Sequence, residues 1–504
     1  MLAFNYPNLA GVLSGWPALE WRFSQICDRI SEDSHTRSAF VMIDKDFAII
    51  PELPSGSRIF FIGIGGISMS GLAEIAQSLG YEVAGSDRQA SERTHYLEQH
   101  GMLVYAGHKA EQLLNFNPDL VVHTAAIPAE NPELAAARET RIPTVDRAAF
   151  LGWINRRFNQ VINIAGTHGK TTTTAMCSLI LIEAGADPTV HLGAELQDFQ
   201  TTVRLGGSNQ LMVSEACEYQ NSFLEFYSTI AAILNIDYDH VDCFANVSEV
   251  IDVFSTFAGQ LPDGGHLVVP ASDPNVMTML KHLSERRALE QRSMPTLHAF
   301  GLEGDTAAWQ ARNLEYIDGL PRFDVYYLDQ FYTHLELNIP GRHNVVNALA
   351  AIACAHLCGG TPEAATKALN HFQGAEGRFT RTGTYRGAQV IADYAHHPAA
   401  ARATLAAAAT IPHRHTWVVF QPLTFSRTEI LFDEFVAALK DCEWVIFAEI
   451  FSDRETRRDY ISSRQLADKI NSLGGNAQFG KDFAEIKAEL DKRVGPGDLI
   501  LVLG

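Results

Sequence analysis

Apolar runs alternate with longer helical stretches over most of the chain. In its first third, four runs predict buried strands: 58–63, 81–87, 120–127 and 142–145. The stretch 69–79 between the first two runs predicts a helix, which Gly80 ends. Strand, helix and strand in this order are typical of an α/β domain built on a parallel sheet.

The same alternation continues to the C-terminus. Further apolar runs predict strands: 161–165, 210–215, 230–237, 390–393, 415–421 and 498–503. Helical patterns cover 175–182 and 341–352. The chain contains no low-complexity tract and no repeat of short period. An α/β fold of several domains is therefore predicted for residues 58–504.

The turn between strand 161–165 and helix 175–182 has the composition of a phosphate-binding loop. Its residues are Gly166, Thr167, His168, Gly169, Lys170, Thr171 and Thr172. Backbone N–H groups and the positive end of the helix would face phosphates, Lys170 would supply a mobile charge, and Thr171 can ligate Mg²⁺. Ile164 stands where the full pattern has its first glycine, so a plain glycine turn with a surface lysine is the alternative. The order of strand, Gly-Lys-Thr and helix favours a nucleotide site.

A second glycine-rich turn follows the first predicted strand. It contains Gly63, Gly65 and Gly66, and Asp87 ends the next strand, where it can accept hydrogen bonds from a ribose. The dinucleotide fingerprint also needs glycine at the position of Ser68. A nucleoside diphosphate on the helix N-terminus is therefore at least as well supported as a nicotinamide cofactor, and a turn without ligand is the third interpretation.

Polar residues end two of the central strands. Glu215 ends the strand 210–215, and His240 follows 230–237. Ligands of α/β sheets bind at the carboxyl ends of the strands, so Glu215 and His240 are candidates to complete a metal site beside the phosphates. On helix 341–352, Asn344 and Asn347 lie on one face and could pair with an adenine edge; capping of the helix by Asn344 is the alternative.

Composition restricts the partners and the compartment. A net charge of −20 argues against a nucleic-acid surface, which needs clustered Lys and Arg. The seven cysteines include no C-x-x-C pair, and Cys354, His356 and Cys358 fall in an Ala-rich helical run that favours core packing over a metal site. Neither a signal peptide nor an apolar run of about 18 residues is present, so we expect no membrane span and a cytoplasmic location.

A length of 504 residues predicts about three or four domains of roughly 150 residues each. Residues 1–57 form an extension without an assigned role, and one hypothesis is that translation begins at Met42.

Taken together, the motifs resemble those of the Mur ligases. In chain order they are Phe61–Glu74, Ala165–Thr174, Glu215–Glu218, Asp239–His240, Gly341–Leu349, Asp393–Pro398 and Phe420–Pro422. The resemblance covers about residues 58–504. It implies three domains: a Rossmann-like UDP-substrate-binding domain at 58–157, a central P-loop-type ATP-binding domain at 158–376 and an α/β amino-acid-binding domain at 377–504. It implies an enzyme of peptidoglycan precursor synthesis that uses ATP and Mg²⁺ to join L-alanine to UDP-N-acetylmuramate through an acyl phosphate, as a monomer or homodimer.

The resemblance also implies roles for individual residues. The UDP site would comprise Gly63, Gly65, Gly66, Ser70, Asp87 and His168. The ATP site would comprise the loop Gly166–Thr172 together with Asn344, Asn347, Arg378 and Asp393. The metal would be held by Thr171, Glu215 and His240. Catalysis would involve Lys170 on the γ-phosphate, Arg427 on the alanine carboxylate, His240, and the pair His396 and His397, whose separate roles do not carry over.

Three positions depart from the family pattern. Leu423 follows Gln-Pro where relatives have His, Gly377 precedes Arg378 where relatives have a second Arg, and Thr124–Ala126 replaces Ser-Ser-Ala. These changes affect the expected amino-acid pocket more than ATP use. Several other family members carry a carbamylated lysine near the metals, whereas residues 241–280 contain no lysine, which agrees with the alanine-adding branch.

Other functions remain as alternatives. A ligase that attaches a murein tripeptide would use the same UDP sugar, and a nucleotide-binding regulator without activity could have kept the loop. An NAD oxidoreductase is least favoured, because it accounts for the first glycine-rich turn and not the second.

Overall fold

The computed structural model describes residues 50, 52–124, 126–196, 199, 201–375, 377–452, 455 and 460–504. Most of the predicted extension 1–57, the proposed start at Met42, and Ala125 lie outside the described residues. Within them, no helix has both the length and the apolar character that a membrane crossing requires.

The first domain has one parallel sheet. Its strands are β1 Arg58–Ile62, β2 Glu82–Asp87, β3 Leu103–Ala106, β4 Leu120–His123 and β5 Thr144–Asp146. Its helices are α1 Ile67–Ser78, α2 Glu92–Gln99, α3 Ala110–Phe116, α4 Pro132–Glu139 and α5 Arg147–Asn155. The strand order is β3-β2-β1-β4-β5. The order reverses between β1 and β4, and this reversal opens a crevice at the carboxyl ends of these strands.

The central domain has a larger, mixed sheet. Its strands are β6 Gln160–Ala165, β7 Thr189–Leu196, β8 Thr201–Arg204, β9 Leu211–Glu215, β10 Ile230–Ile233, β11 His266–Pro270, β12 Thr296–Leu302, β13 Trp309–Ile317, β14 Leu320–Tyr327 and β15 Gln330–Glu336. Its helices are α6 Lys170–Glu183, α7 Val247–Gly259, α8 Pro274–Leu289, α9 Arg342–His356 and α10 Pro362–Leu369, with a 3₁₀ turn at Tyr219–Glu225. The order is β15-β14-β13-β12-β11-β10-β6-β9-β7-β8.

Strand β6 lies between β9 and β10 in this sheet, and all three are parallel. Neighbours on both sides and helices on the faces bury it, which explains its nearly continuous apolar sequence. Ile164 lies opposite Glu215, and Ala165 lies opposite Ile233. The phosphate loop, the Glu215 carboxylate and the segment after β10 therefore meet at one edge of the sheet.

The last domain has a sheet of six strands. They are β16 Thr380–Tyr385, β17 Ala388–Asp393, β18 Thr416–Phe420, β19 Trp444–Phe447, β20 Ala477–Phe479 and β21 Leu499–Leu503, in the order β16-β17-β21-β18-β19-β20. The helices are α11 Pro398–Ala408, α12 Phe425–Ile430, α13 Phe432–Leu439, α14 Ser463–Ser472 and α15 Phe483–Arg493. The predicted fold class, with an α/β sheet in each of three domains, is confirmed.

The core of the central domain explains how α6 is held behind the phosphate loop. Met176 and Ile180 of α6 are buried, as are Leu349 and Ile352 of α9 in the same apolar cluster. Alanines on α9 allow the two helices to pack closely. The end of α6 that carries the loop is thus fixed by well-packed apolar surface.

Candidate active site

The phosphate loop joins β6 to α6 through two glycines in unusual conformations. Gly166 has φ +140° and Gly169 has φ +86°, values that side chains rarely allow. A Cβ on Gly169 would lie 2.6 Å from Oδ1 of Asn347, so the loop lies directly against α9. Among the described residues, no side chain caps the N-terminus of α6. Its N–H groups and the positive end of the helix dipole are therefore available to phosphate oxygens.

Lys170 is the first residue of α6, and it is folded back across the loop. Its Nζ donates to the carbonyls of Gly166 at 2.6 Å and Thr167 at 3.2 Å, and to Oε2 of Glu218 at 2.9 Å. Burial opposes its charge, but Glu218, Cys217 and Glu215 outweigh that effect and raise the pKa of Lys170. The ammonium group is therefore charged at neutral pH and already lies in the cradle that phosphates would enter.

Glu215 and Thr171 are hydrogen-bonded to each other beside the loop. The Thr171 hydroxyl donates to Oε2 of Glu215 at 2.8 Å, and the backbone N–H of Gly193 donates to the same oxygen at 3.0 Å. A Cβ on Gly193 would lie 2.7 Å from that oxygen, so only glycine lets β7 approach so closely. The structure thus brings together two of the predicted metal ligands, and the backbone of Gly193 positions the carboxylate.

His240, the third predicted ligand, lies beside Glu218 and has a left-handed backbone with φ +51°. Its Nε2 lies 3.7 Å from Oε1 of Glu218, and its ring lies 4.9 Å from that of Tyr219. Oε1 of Glu218 and Nδ1 of His240 are both buried without a hydrogen-bond partner among the described residues. Burial lowers the pKa of His240 against the opposing charges of Asp239 and Glu218. Neutral imidazole and carboxylate oxygens without partners are suitable ligands for a divalent cation, so the residues present fit a metal in this place.

The C-terminal domain reaches the site through Arg427 on α12. Its Nε donates to Oδ1 of Asp239 at 2.8 Å, and both side chains are buried. Burial alone would raise the pKa of Asp239, but the Arg427 guanidinium holds it far below its usual range. The Glu455 carboxylate accepts from the N–H groups of Phe425 and Ser426, which fixes the start of α12. Arg427 therefore enters the site from a rigid position.

Two histidines from different domains face each other beside the loop. The rings of His168 and His397 lie 4.9 Å apart, and Oδ2 of Asp237 lies 3.6 Å from Nε2 of His168. The interaction with His168 is the largest contribution that lowers the pKa of Asp237, to about 2. His168 is thus directed towards the C-terminal domain, and its backbone N–H donates to Oδ1 of Asn235 at 2.8 Å.

The adjacent histidines of the C-terminal domain differ in their bonding. Nδ1 of His397 accepts from the backbone N–H of Ala399 as the cap of α11, and Nε2 is 3.1 Å from the carbonyl of Tyr238, to which it must donate. Both ring nitrogens of His397 are therefore used. His396 donates from Nδ1 to the carbonyl of Tyr394 at 3.1 Å, which leaves the lone pair of Nε2 for a proton. Burial first, and then Arg427, lower the pKa of His396 to about 3.

The residues predicted to contact the adenine and ribose of ATP lie in two different domains. Asn344 donates to the carbonyl of Pro340 at 2.7 Å and accepts from Asn347 at 3.2 Å, so the two amides are ordered by each other and by the helix start. In the C-terminal domain, Asp393 accepts from Thr404 at 2.6 Å, and Arg378 donates to the carbonyl of Tyr394 at 3.3 Å. Burial raises the pKa of Asp393.

The candidate UDP residues gather at the carboxyl end of β1. Asp87 accepts at 2.9 Å from the N–H of Gly65, where a Cβ would lie 2.9 Å from the same carboxylate oxygen. Gly66 precedes α1, and Gly63 has φ +83°. Ser70 is buried, and its hydroxyl donates to the carbonyl of Ile67 at 3.1 Å.

Ser68 also lies beside this turn, in a cluster that joins two domains. Its hydroxyl lies 3.0 Å from Nε2 of His191 on β7 and accepts from Arg147 on α5 at 3.1 Å. The cluster joins the first and central domains, because the three residues come from α1, α5 and the central sheet. From the sequence, Ser68 was identified only as the residue that replaces a glycine of the dinucleotide fingerprint.

Sequence reasoning assigned no role to three carboxylates that the structure places in the site. Glu218 binds Lys170, Asp237 contacts His168, and Asp239 binds Arg427. The sequence did offer a reason to consider them, because each of the three carboxylates is next to or near a predicted ligand in the chain. Their partners come from other elements and could not be read from spacing.

Two of the departures from the family pattern have local explanations. Gly377 has φ +70°, a conformation that favours glycine, and its carbonyl accepts from Tyr394 at 2.8 Å. Leu423 forms a single bridge with Phe451, and its carbonyl lies 3.5 Å from Nη1 of Arg427. Gly377 therefore matches its backbone, and Leu423 precedes the helix that carries Arg427.

Comparison with protein families agrees with this architecture. Three family models match in order: the Mur ligase family, catalytic domain, at residues 58–159; the Mur ligase middle domain at 164–355; and the Mur ligase, glutamate ligase domain at 377–504. The chain therefore belongs to the Mur ligase family and is an ATP-dependent, amide-bond-forming ligase.

Among curated proteins, UDP-N-acetylmuramate–L-alanine ligase of Acetivibrio thermocellus is 42% identical over 448 residues, which are 89% of this chain and 93% of the relative. The protein of that name from Clostridium novyi is 41% identical over 451 residues, 89% of this chain and 95% of the relative.

Two solved structures of similar proteins align with most of this chain. UDP-N-acetylmuramate–alanine ligase from Thermotoga maritima aligns with a TM-score of 0.70 at 28% identity, over 89% of this chain and 95% of that one. A murein peptide ligase from Psychrobacter arcticus aligns with a TM-score of 0.63 at 25% identity, over 89% of this chain and 96% of that one.

Proposed function

We propose that this protein joins L-alanine to UDP-N-acetylmuramate at the expense of ATP, in cytoplasmic synthesis of peptidoglycan precursors. The observation that carries the proposal is the convergence of Lys170, Glu215 and His240 at the carboxyl ends of β6, β9 and β10, with Arg427 reaching the same place from the C-terminal domain. The curated relatives named above support L-alanine as the amino acid. Both proposed nucleotide substrates are cytoplasmic metabolites, which supports that compartment.

The first requirement of the reaction is to bring two anions together. The carboxylate of the sugar must attack the γ-phosphate of ATP, and the two groups repel each other. Lys170 offsets that repulsion once it exchanges Glu218 for phosphate oxygens. The N–H groups of the loop and of α6 hold the remaining phosphate charge.

Thr171, Glu215 and His240 are the residues that would hold Mg²⁺. A bound magnesium ion supplies charge neutralisation at the phosphates. Glu215 is held for this role by the N–H of Gly193, and His240 by its left-handed backbone. The Lys170–Glu218 ion pair lies beside these residues and contributes to the charge balance there.

The second step is attack by the amine of alanine on the acyl phosphate. Arg427 has five N–H donors, and its Nε is used by Asp239, so further donors are available for the carboxylate of alanine. An α-amino group has a pKa of about 8, so a modest neutral fraction exists at pH 7. Of the two histidines, His396 keeps a free lone pair on Nε2, whereas His397 uses both nitrogens in structural bonds. With its pKa lowered to about 3, His396 is suited to accept a hydrogen bond from the neutral amine and is a weak base for its proton.

The test is product analysis with competing acceptors. Purified protein is incubated with ATP, Mg²⁺ and UDP-N-acetylmuramate, together with L-alanine, glycine, L-serine and the murein tripeptide. Mass spectrometry of the products should find the alanine adduct, with ADP and phosphate in equal amounts. A tripeptide adduct would instead identify a recycling ligase, and ATP turnover that none of the acceptors stimulates would overturn the ligase proposal.

A further inference from the structure

A thiol lies among the charged groups of the site, outside the set used for the proposed reaction. Sγ of Cys217, a carboxylate oxygen of Glu218 and a ring nitrogen of His240 all lie within 4.8 Å of one another. Cys217 and Glu218 follow β9 directly, whereas His240 arrives from the loop after β10. Three kinds of metal-binding group thus meet beside the phosphate loop.

Two of the three groups have an unused ligand atom. Glu218 is 1% exposed, and Lys170 binds only its Oε2. In the described part of the chain, its Oε1 has no hydrogen-bond partner and lies 3.7 Å from Nε2 of His240. Nδ1 of His240 also lacks a hydrogen-bond partner among these residues. A buried carboxylate oxygen without a partner is costly unless a cation or donor reaches it.

The local charge also favours a divalent cation. The carboxylates of Glu215 and Glu218 face the single positive charge of Lys170, and burial raises the pKa of the Cys217 thiol, so this thiol is neutral until a metal ion displaces its proton. Adding a dication to this group therefore reduces the imbalance of charge.

The identity of the donors selects the kind of ion. Magnesium prefers oxygen ligands and does not bind sulfur. Thiolate, imidazole and carboxylate together suit Zn²⁺, which takes four ligands in a tetrahedral arrangement. Three protein ligands leave the fourth position for water.

We propose that Cys217, Glu218 and His240 form a binding site for Zn²⁺, or a similar thiophilic dication, in the nucleotide-free protein, and that the bound ion inhibits the ligase. The Cys217 proton passes to solvent as the metal–sulfur bond forms. The bound ion inhibits the ligase because His240 cannot coordinate this ion and the magnesium ion at the same time. The inhibition rests on the proposed function, whereas the binding does not.

Binding is tested with Co²⁺, which reports thiolate ligation by a sulfur-to-cobalt charge-transfer band. The nucleotide-free wild-type protein should develop the band with one equivalent of Co²⁺, and Zn²⁺ should displace it. Cys217→Ser should abolish the band and weaken Zn²⁺ binding by at least about tenfold, while Cys442→Ser, a thiol of the C-terminal domain, should leave both unchanged. A wild-type protein without the band, or a Cys217→Ser protein that keeps it, would overturn the site.

Inhibition is tested by zinc titration of the ligase at fixed Mg²⁺ and ATP. Cys217→Ser and Cys217→Ala should both keep wild-type turnover without zinc, because the thiol takes no part in the proposed reaction. Both should need at least about ten times more Zn²⁺ for half inhibition. Equal zinc sensitivity of wild type and variants contradicts the proposal. If no ligase activity is found at all, the cobalt titration still decides the binding site, so the two failures are distinguishable.

Discussion

Arg427 of α12 donates from Nε to Oδ1 of Asp239 at 2.8 Å, and this bond joins the C-terminal domain to the residue before His240. Both side chains are nearly inaccessible, at 9% and 5% exposure. Loss of one partner would leave the other charge buried at a domain boundary. The position of the C-terminal domain is therefore coupled to the segment that carries a proposed metal ligand.

A double-mutant cycle measures that coupling. Arg427→Ala and Asp239→Asn should each destabilise the protein by about 3 kcal/mol, and the double variant should cost much less than the sum because neither charge is then left alone. Chemical unfolding of the three variants gives the coupling energy. The pair Arg93–Glu195 is a matched control with the same 2.8 Å separation but greater exposure, and its coupling should stay below about 1 kcal/mol. Equal coupling for the two pairs would contradict the buried, domain-joining role of Arg427.

Removal of the loop ammonium should abolish most activity. Lys170→Ala takes away the only side chain that bridges the loop carbonyls and Glu218 in the described contacts, and we expect kcat to fall at least about 10²-fold. Circular dichroism and thermal melting should confirm that the fold is intact. Lys367→Ala removes an exposed lysine paired with Glu183 and should leave turnover unchanged. Near-normal turnover by Lys170→Ala would refute the assigned role.

The closeness of Gly193 to Glu215 predicts a magnesium phenotype. In Gly193→Ala the new methyl group would displace the Glu215 carboxylate, whose Oε2 lies 2.7 Å from the position that the Cβ would take. The Mg²⁺ concentration for half-maximal activity should rise about 10- to 100-fold, as is usual when the support of a metal ligand is lost. Gly259→Ala is the control, because its Cβ would meet Arg286 at an ordinary 3.5 Å. An unchanged magnesium requirement would place the metal elsewhere.

The His266–His298 pair should be one source of a loss of stability in mild acid. Nδ1 of His266 lies 3.0 Å from Nε2 of His298. Burial is the main cause, and the neighbouring His266 the second, of the lowered pKa of His298, which is about 4. The unfolded chain titrates near pKa 6.5 and so binds more protons between those values, which makes stability decrease as pH falls through this window. His298→Gln should therefore flatten the dependence of Tm on pH between about 6.5 and 4, whereas the exposed His371→Gln should not. Parallel Tm profiles for His298→Gln and wild type would exclude this source.

The elements that local sequence controls were predicted closely. The run 161–165 became β6, Gln160–Ala165, and the run 498–503 became β21, Leu499–Leu503, because strands covered on both faces need continuous apolar sequence. The run 230–237 is a strand only to Ile233. After Ile233, the side chains of Asn235 and Asp237 contact His168 of the loop instead of pairing with a neighbouring strand. The hydrophobic pattern does not predict such contacts.

The sequence by itself determined the conformation of the loop Gly166–Thr172, because its glycines, its lysine and the following helix are contiguous and act through their own backbone. Only the tertiary structure decided that Lys170 binds Glu218, that Asp239 binds Arg427 of a different domain, and that Cys217 faces His240. These contacts depend on strand order and on the packing of separate domains. Such contacts arise from burial and charge balance between segments far apart in the chain, which spacing along one segment cannot encode.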